Sequence, residues 1–126
     1  MADVDAASAA PPRRVTLVTG ANRGLGLAIA ERLAGAGNRV VGTYRTDHPE
    51  VEGVAWVRCD VGDPQSVDAA FAEVESTLGP VEVLVSNAGV TKDGLLLRMS
   101  DEDFTSVVDA NLAGAFRVAK RAAKGM

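Results

Sequence analysis

Three glycines within eight residues constrain this chain more than anything else in it. Thr19-Gly20-Ala21-Asn22-Arg23-Gly24-Leu25-Gly26 follows the short apolar run Val15-Thr16-Leu17-Val18 and leads into Leu27-Ala28-Ile29-Ala30, which reads as the start of a helix. A glycine-rich turn between a buried strand and a helix is where a fold places a phosphate. The helix start offers unpaired N–H groups and a positive dipole end, and glycines let an anion come close to the backbone. The pattern is Thr-Gly-x-x-x-Gly-x-Gly. It is neither the Gly-x-Gly-x-x-Gly dinucleotide fingerprint nor the Gly-x-x-x-x-Gly-Lys-Ser/Thr of a P-loop. Taken alone it does not separate a phosphate site from an ordinary turn, so the remaining residues must decide.

With 126 residues the chain fits one domain, and 47% apolar with 24% charged residues is ordinary for a globular protein. A net charge of -4 gives no basic footprint for nucleic acid and no polybasic patch for a membrane surface. Cys59 is the only cysteine, which excludes an internal disulfide framework and a multi-cysteine zinc site; no metal site is expected. A reducing, cytoplasmic setting follows as the expectation. No apolar run approaches the roughly 20 residues that cross a bilayer. Residues 1–13 are small and carry a Pro pair, so a disordered tail is expected there.

The pattern predicts strands at 14–18, 38–45, 54–60 and 81–87. The helix after the glycine turn runs to about Ala34, with Gly35 and Gly37 as candidate caps. Asp63-Pro64 starts a second helix, with Asp as N-cap and Pro at the first position. Val67, Ala70, Phe71, Val74 and Leu78 keep helical spacing until Gly79-Pro80 stops it. Ser100 caps an acidic first turn, Asp101-Glu102-Asp103, and helix continues to Met126. Val108, Leu112, Ala115, Ala119 and Ala122 line one face of that helix, with Phe104, Val107 and Val118 off it. Val-rich continuous strands alternating with helices predict an α/β fold with a parallel sheet, and right-handed crossovers order it 3-2-1-4.

Ligands of such sheets bind beyond the carboxyl ends of the strands. The first strand ends in the glycine turn. The second ends in Tyr44-Arg45, where an acidic residue for ribose hydroxyls is the usual feature of an NAD protein. Arg45 there, with Arg23 in the glycine turn, suits a 2′-phosphate, because guanidinium forks pair with phosphate oxygens. The third strand ends in Asp60-Val61, where Asp60 accepts from an adenine amino group or else caps the next helix. The fourth ends in Asn87-Ala88-Gly89. Four polar or small strand ends converge on one ligand. His48 lies in a polar loop with no partner pattern, and Cys59, Trp56 and Phe71 read as packing.

Thr19 to Gly26, Asp60-Val61, Asn87-Ala88-Gly89 and Asn111 have the order and spacing of the motifs of the short-chain dehydrogenases/reductases, and the chain resembles that family. From Ser86 through Asn87-Ala88-Gly89-Val90-Thr91-Lys92 to Met99, and on to Arg117, it is most similar to bacterial 3-oxoacyl-(acyl-carrier-protein) reductases, mycobacterial-type members in particular. The resemblance implies a Rossmann-type doubly wound sheet of which residues 14–126 form the N-terminal, NADP-binding part. It implies that Thr19, Gly20, Asn22, Arg23, Gly24, Leu25 and Gly26 belong to the pyrophosphate turn, and that Arg23 and Arg45 hold the 2′-phosphate of NADP(H). Asp60 and Val61 bracket the adenine, and Asn87, Ala88 and Gly89 run beside the nicotinamide ribose. Asn111 is the one member of the catalytic tetrad present. The family also implies an acyl-carrier-protein-linked substrate and a homo-tetramer, with the second apolar face of the last helix against a neighbouring subunit.

The family's Ser and Tyr-x-x-x-Lys are absent: the only tyrosine is Tyr44, at a strand end. A proton must meet the developing alkoxide, so this polypeptide alone is expected to be inactive. Two other readings stand beside the reductase. One is a short-chain oxidoreductase for another ketone or alcohol; the other is a non-catalytic nucleotide-binding module.

Overall fold

The computed structural model describes residues 13–126; the expected disordered tail lies outside these apart from Arg13. The elements are β1 (Val15–Val18), α1 (Gly24–Gly35), β2 (Arg39–Tyr44), β3 (Val54–Arg58), α2 (Pro64–Thr77) and β4 (Val83–Val85). A short 3-10 turn, Leu96–Arg98, precedes α3 (Asp101–Val108), a π-helical turn (Asp109–Ala113) and α4 (Gly114–Gly125). The strands are parallel in the order β3-β2-β1-β4. Each strand is a residue or more shorter than the span expected for it.

β1 sits inside the sheet and is buried along its whole length, which is why its residues show no polar alternation. Successive side chains still point to opposite faces. Leu17 joins Val41, Val57, Phe71, Val74, Val118 and Ala122 on one face, beneath α2 and α4. Val18 joins Ala21, Ala30 and Val40 beneath α1 on the other, with Trp56 partly buried at its margin. Phe71 is fully buried, and burial of a ring of that size contributes about 1.5–3 kcal/mol.

The expected caps form. Asp63 Oδ1 accepts the Gln65 N–H at 3.0 Å with Pro64 first in α2. Ser100 and Asp103 form a reciprocal capping box at the start of α3. At the end of α1 it is Ala36 that caps, while Gly37 takes the left-handed conformation that turns the chain into β2.

The last helix departs from the expected pattern. Val118, expected off the main face, is fully buried together with Gly114 and Ala122, whereas Leu112 is 70% exposed and Ala119 is exposed. The π turn is the reason. Its extra residue rotates everything after residue 113 relative to α3, so a single 3.6-residue phase cannot describe the two halves. Arg121 fastens α4 to α2, donating to both Glu75 oxygens at 2.7 and 2.8 Å and to Asp68 Oδ1 at 2.7 Å, and lying over the Phe71 ring.

Candidate functional site

A cleft of about 460 Å³ opens at the carboxyl ends of the strands. Gly20, Asn22, Arg23 and Gly24 line it from the β1–α1 turn, Arg45 from the end of β2, Asp60 and Val61 from the end of β3, and Asn87, Ala88 and Gly89 from the end of β4. Four separate stretches of sequence therefore meet at one concavity. It sits where the strand order reverses, between β1 and β4, as open α/β sheets place their ligands.

Two of the three glycines of the turn are there for clearance, while Gly24 has open space around it and a φ of +60°. At Gly20, with φ of +62°, a Cβ would stand 2.9 Å from the Ala88 Cα. At Gly26 it would collide with the Gly20 carbonyl and the Asn87 amide. The turn thus packs directly onto the end of β4. Arg23 is the N-cap of α1 but gives no side-chain cap, so the first N–H groups of the helix keep no side-chain acceptor. Among the described residues neither Arg23 nor Arg45 forms an ion pair. Free N–H groups, a helix N-terminus and two unpaired guanidiniums suit a ligand with several phosphates.

Thr19, Leu25 and Gly26 stand outside the lining of the cleft. Leu25 is 71% exposed, and Gly26 is buried against the turn. Thr19 is fully buried; its hydroxyl accepts the N–H groups of Asn87 and Ala88, each at 2.9 Å. It fastens β1 to β4 rather than facing a ligand. Asp60 accepts the Gly62 N–H at 2.9 Å while its own N–H donates to Ser66 Oγ, which shapes the turn into α2 and leaves it on the cleft.

Asn111 lies in the π turn, behind the cleft wall. Its amide clasps the backbone of one residue: Oδ1 accepts the Val90 N–H at 2.7 Å and Nδ2 donates to the Val90 carbonyl at 2.9 Å. Gly89 is a glycine for this reason, since a Cβ there would stand 2.7 Å from Asn111 Oδ1.

Other residues at the cleft carry no sequence signal of their own. Thr43 is buried and its hydroxyl accepts the Gly20 N–H at 3.1 Å, holding the glycine turn to β2. Tyr44, Thr46, Asp47, Cys59 and Ala110 complete the lining. Burial pushes the Cys59 thiol up to about 11, helped by the neighbouring Asp60 carboxylate. It is therefore a neutral packing group and not a nucleophile. His48 stacks on Trp56 at 4.7 Å and lies against Tyr44 at 4.6 Å, so the loop after β2 is anchored by aromatic contact. Among the described residues no group of His, Cys, Asp and Glu is arranged to hold a metal. None of their helices is long and apolar enough to cross a membrane.

A parallel sheet ordered 3-2-1-4 with a glycine turn at its switch point defines an α/β protein of the Rossmann type. Residues 14–126 match the short chain dehydrogenase family, and the chain belongs to that family. It is 57% identical over 113 residues to the 3-oxoacyl-(acyl-carrier-protein) reductase MabA of Mycobacterium avium, which takes in 90% of this chain and 44% of that protein. Among solved structures it is similar to the aldohexose dehydrogenase of Thermoplasma acidophilum in ligand-free form, with a TM-score of 0.84, 34% identity, 90% of this chain and 44% of that one. It is also similar to the F189W actinorhodin polyketide ketoreductase with NADPH, with a TM-score of 0.80, 36% identity, 89% of this chain and 47% of that one. The chain spans about half the length of the curated relatives it matches.

Proposed function

We propose that residues 14–126 are the N-terminal, NADP(H)-binding part of a 3-oxoacyl-(acyl-carrier-protein) reductase. The observation that carries the cofactor choice is Arg45 at the end of β2, facing the cleft with Arg23 and without an acidic partner. An NADH-specific site needs an acceptor for the ribose hydroxyls at that strand end; two guanidiniums instead attract a 2′-phosphate. The 57% identity to a reductase of that name supports the substrate class, an acyl-carrier-protein-linked 3-oxo thioester.

In this reading Gly20, Gly24 and the free N–H groups of α1 receive the pyrophosphate. Asp60 and Val61 flank the adenine, and Asn87, Ala88 and Gly89 run beside the nicotinamide ribose. Thr19, Leu25 and Gly26 shape the turn from behind. Asn111 holds the Val90 backbone and so fixes the wall next to the nicotinamide. When bound, the cofactor supplies a hydride; the residues of this chain bind it, orient it and shield it. Phe104, Leu112 and Phe116 are more than half exposed, and we assign them to contacts between subunits of a cytoplasmic homo-tetramer. The similarity to an aldohexose dehydrogenase supports, as a second reading, a short-chain oxidoreductase for another ketone or alcohol.

Fluorescence titration with NADPH tests the binding role. Saturable enhancement is expected, and Gly24→Trp, which crowds the cleft beside the start of α1, should abolish it, with a lowered but still cooperative thermal transition because φ at Gly24 is +60°. An unsaturable signal from the unaltered chain would remove the proposal.

A further inference from the structure

The cleft has two walls from distant parts of the chain, and one turn of helix touches both. On one side, Val61 lines the cleft and packs under Gly114, where a Cβ would come within 2.8 Å of Val61 Cγ2. On the other, Asn111 clasps the Val90 backbone next to Gly89. Between them runs the π turn, Asp109–Ala113.

Arg117 closes the remaining gap. Its Nη1 donates to the Val61 carbonyl at 2.9 Å and to Asp109 Oδ2 at 3.3 Å, while Nη2 donates to Asp109 Oδ1 at 2.7 Å. In a regular α-helix, residues eight apart are about 80° out of line around the axis; the extra residue of a π turn reduces this to about 20°. The turn that carries Asn111 therefore also aligns Arg117 with Asp109. The Arg117 side chain is only 22% exposed, and a free-standing surface pair would not need the third bond to Val61. Arg117 holds the Asp109 carboxyl below the usual carboxylate range, so the pair stays ionised at neutral pH. Arg117 is itself absent from the cleft lining, so it acts through Val61.

We propose that Arg117 is a positioning residue for the nucleotide cleft: its bond to the Val61 carbonyl fixes the wall at the end of β3 against the turn whose Asn111 fixes the wall after β4. A dinucleotide must meet both walls at once, so their separation sets its affinity. The inference rests on the nucleotide reading given above.

Calorimetric titration of the full chain with NADPH and with 2′,5′-ADP tests it, using the unaltered protein, Arg117→Gln, Arg117→Lys and Glu75→Gln. Arg117→Gln should weaken NADPH by about five- to tenfold and 2′,5′-ADP, which meets only the wall at the end of β3, by less; Arg117→Lys, which keeps the charge but not the fork, should weaken NADPH by about half as many fold. Glu75→Gln removes the charge from the Arg121–Glu75 pair between α2 and α4, outside the cleft lining, so it should lower the melting temperature and leave both affinities unchanged. That contrast separates positioning from loss of stability. Unchanged NADPH affinity in either Arg117 variant, or an equal loss in Glu75→Gln, would overturn the inference. If the unaltered chain binds neither ligand, the nucleotide reading fails first and takes this one with it.

Discussion

Thr19 and Asn87 hold each other across the switch point of the sheet. The Asn87 N–H donates to Thr19 Oγ1 at 2.9 Å, and Asn87 Nδ2 also donates to the Thr19 carbonyl at 3.2 Å and to the Gly20 carbonyl at 3.1 Å. The two strand ends that bound the cleft are thereby one unit. Two residues whose types suggest ligand contacts spend their polar groups on each other first.

Thr19→Val keeps the shape of the side chain and removes the acceptor for two N–H groups, those of Asn87 and Ala88. A buried donor left without a partner costs about 1–3 kcal/mol, so a loss of roughly 2–4 kcal/mol is expected in urea denaturation. Thr19→Ser, which keeps the hydroxyl, should lose much less. A Thr19→Val midpoint equal to that of the unaltered chain would show that the clasp carries no stability.

Cys59 gives the fold a weakness towards base. Its folded-state pKa is raised from 9.0 to about 11, so the folded chain keeps the proton where the unfolded chain has lost it. The stability of the buried thiol is complete below pH 9.0 and drains away as pH rises towards 11. The span corresponds to about 2–3 kcal/mol. Denaturation midpoints of the unaltered chain and Cys59→Ala, compared from neutral pH upward, should converge through that window. Parallel curves would contradict the burial argument.

Acid acts on Glu75. Its hydrogen bonds from Arg121 hold its carboxyl below the ordinary 4.5. A depressed carboxyl stabilises the fold above its unfolded value and loses that contribution as pH falls through the folded one. Glu75→Gln should therefore melt lower at pH 7, and its deficit should shrink below about pH 4. A deficit independent of pH would mean that shape, not charge, is what Glu75 provides.

Phe104 is 62% and Phe116 65% exposed, with Leu112 at 70% on the same helical stretch. Apolar groups at that density mark a contact surface. In size-exclusion chromatography the unaltered chain should elute as an associated species, and the double variant Phe104→Glu, Phe116→Glu should elute smaller. Identical elution of the two would discard this face as the contact.

The sheet order was legible because each strand is a Val-rich run bounded by turn residues, and parallel connections have one hand. Asp63-Pro64 and Ser100 were legible because capping is a local interaction. The convergence at the cleft was legible from where each strand ends. Three things were not. The π turn leaves no local signature, so the phase of the last helix was misread at Val118 and Leu112. Thr19 was grouped with the ligand residues because its pairing partners lie far along the chain, at Asn87 and Ala88. His48 shows no partner pattern in the sequence because its stack on Trp56 forms only once β2 and β3 are paired.

The account turns on the 2′-phosphate, and the dissociation constants of NADPH and NADH for the unaltered chain and for Arg45→Asp test it most directly. Charge-assisted bonds contribute roughly 1.5–3 kcal/mol, so NADPH should bind the unaltered chain more tightly than NADH, and Arg45→Asp should weaken NADPH by about ten- to a hundredfold. NADH, which lacks the phosphate, should be affected far less. Equal affinity of the unaltered chain for the two cofactors would contradict the account.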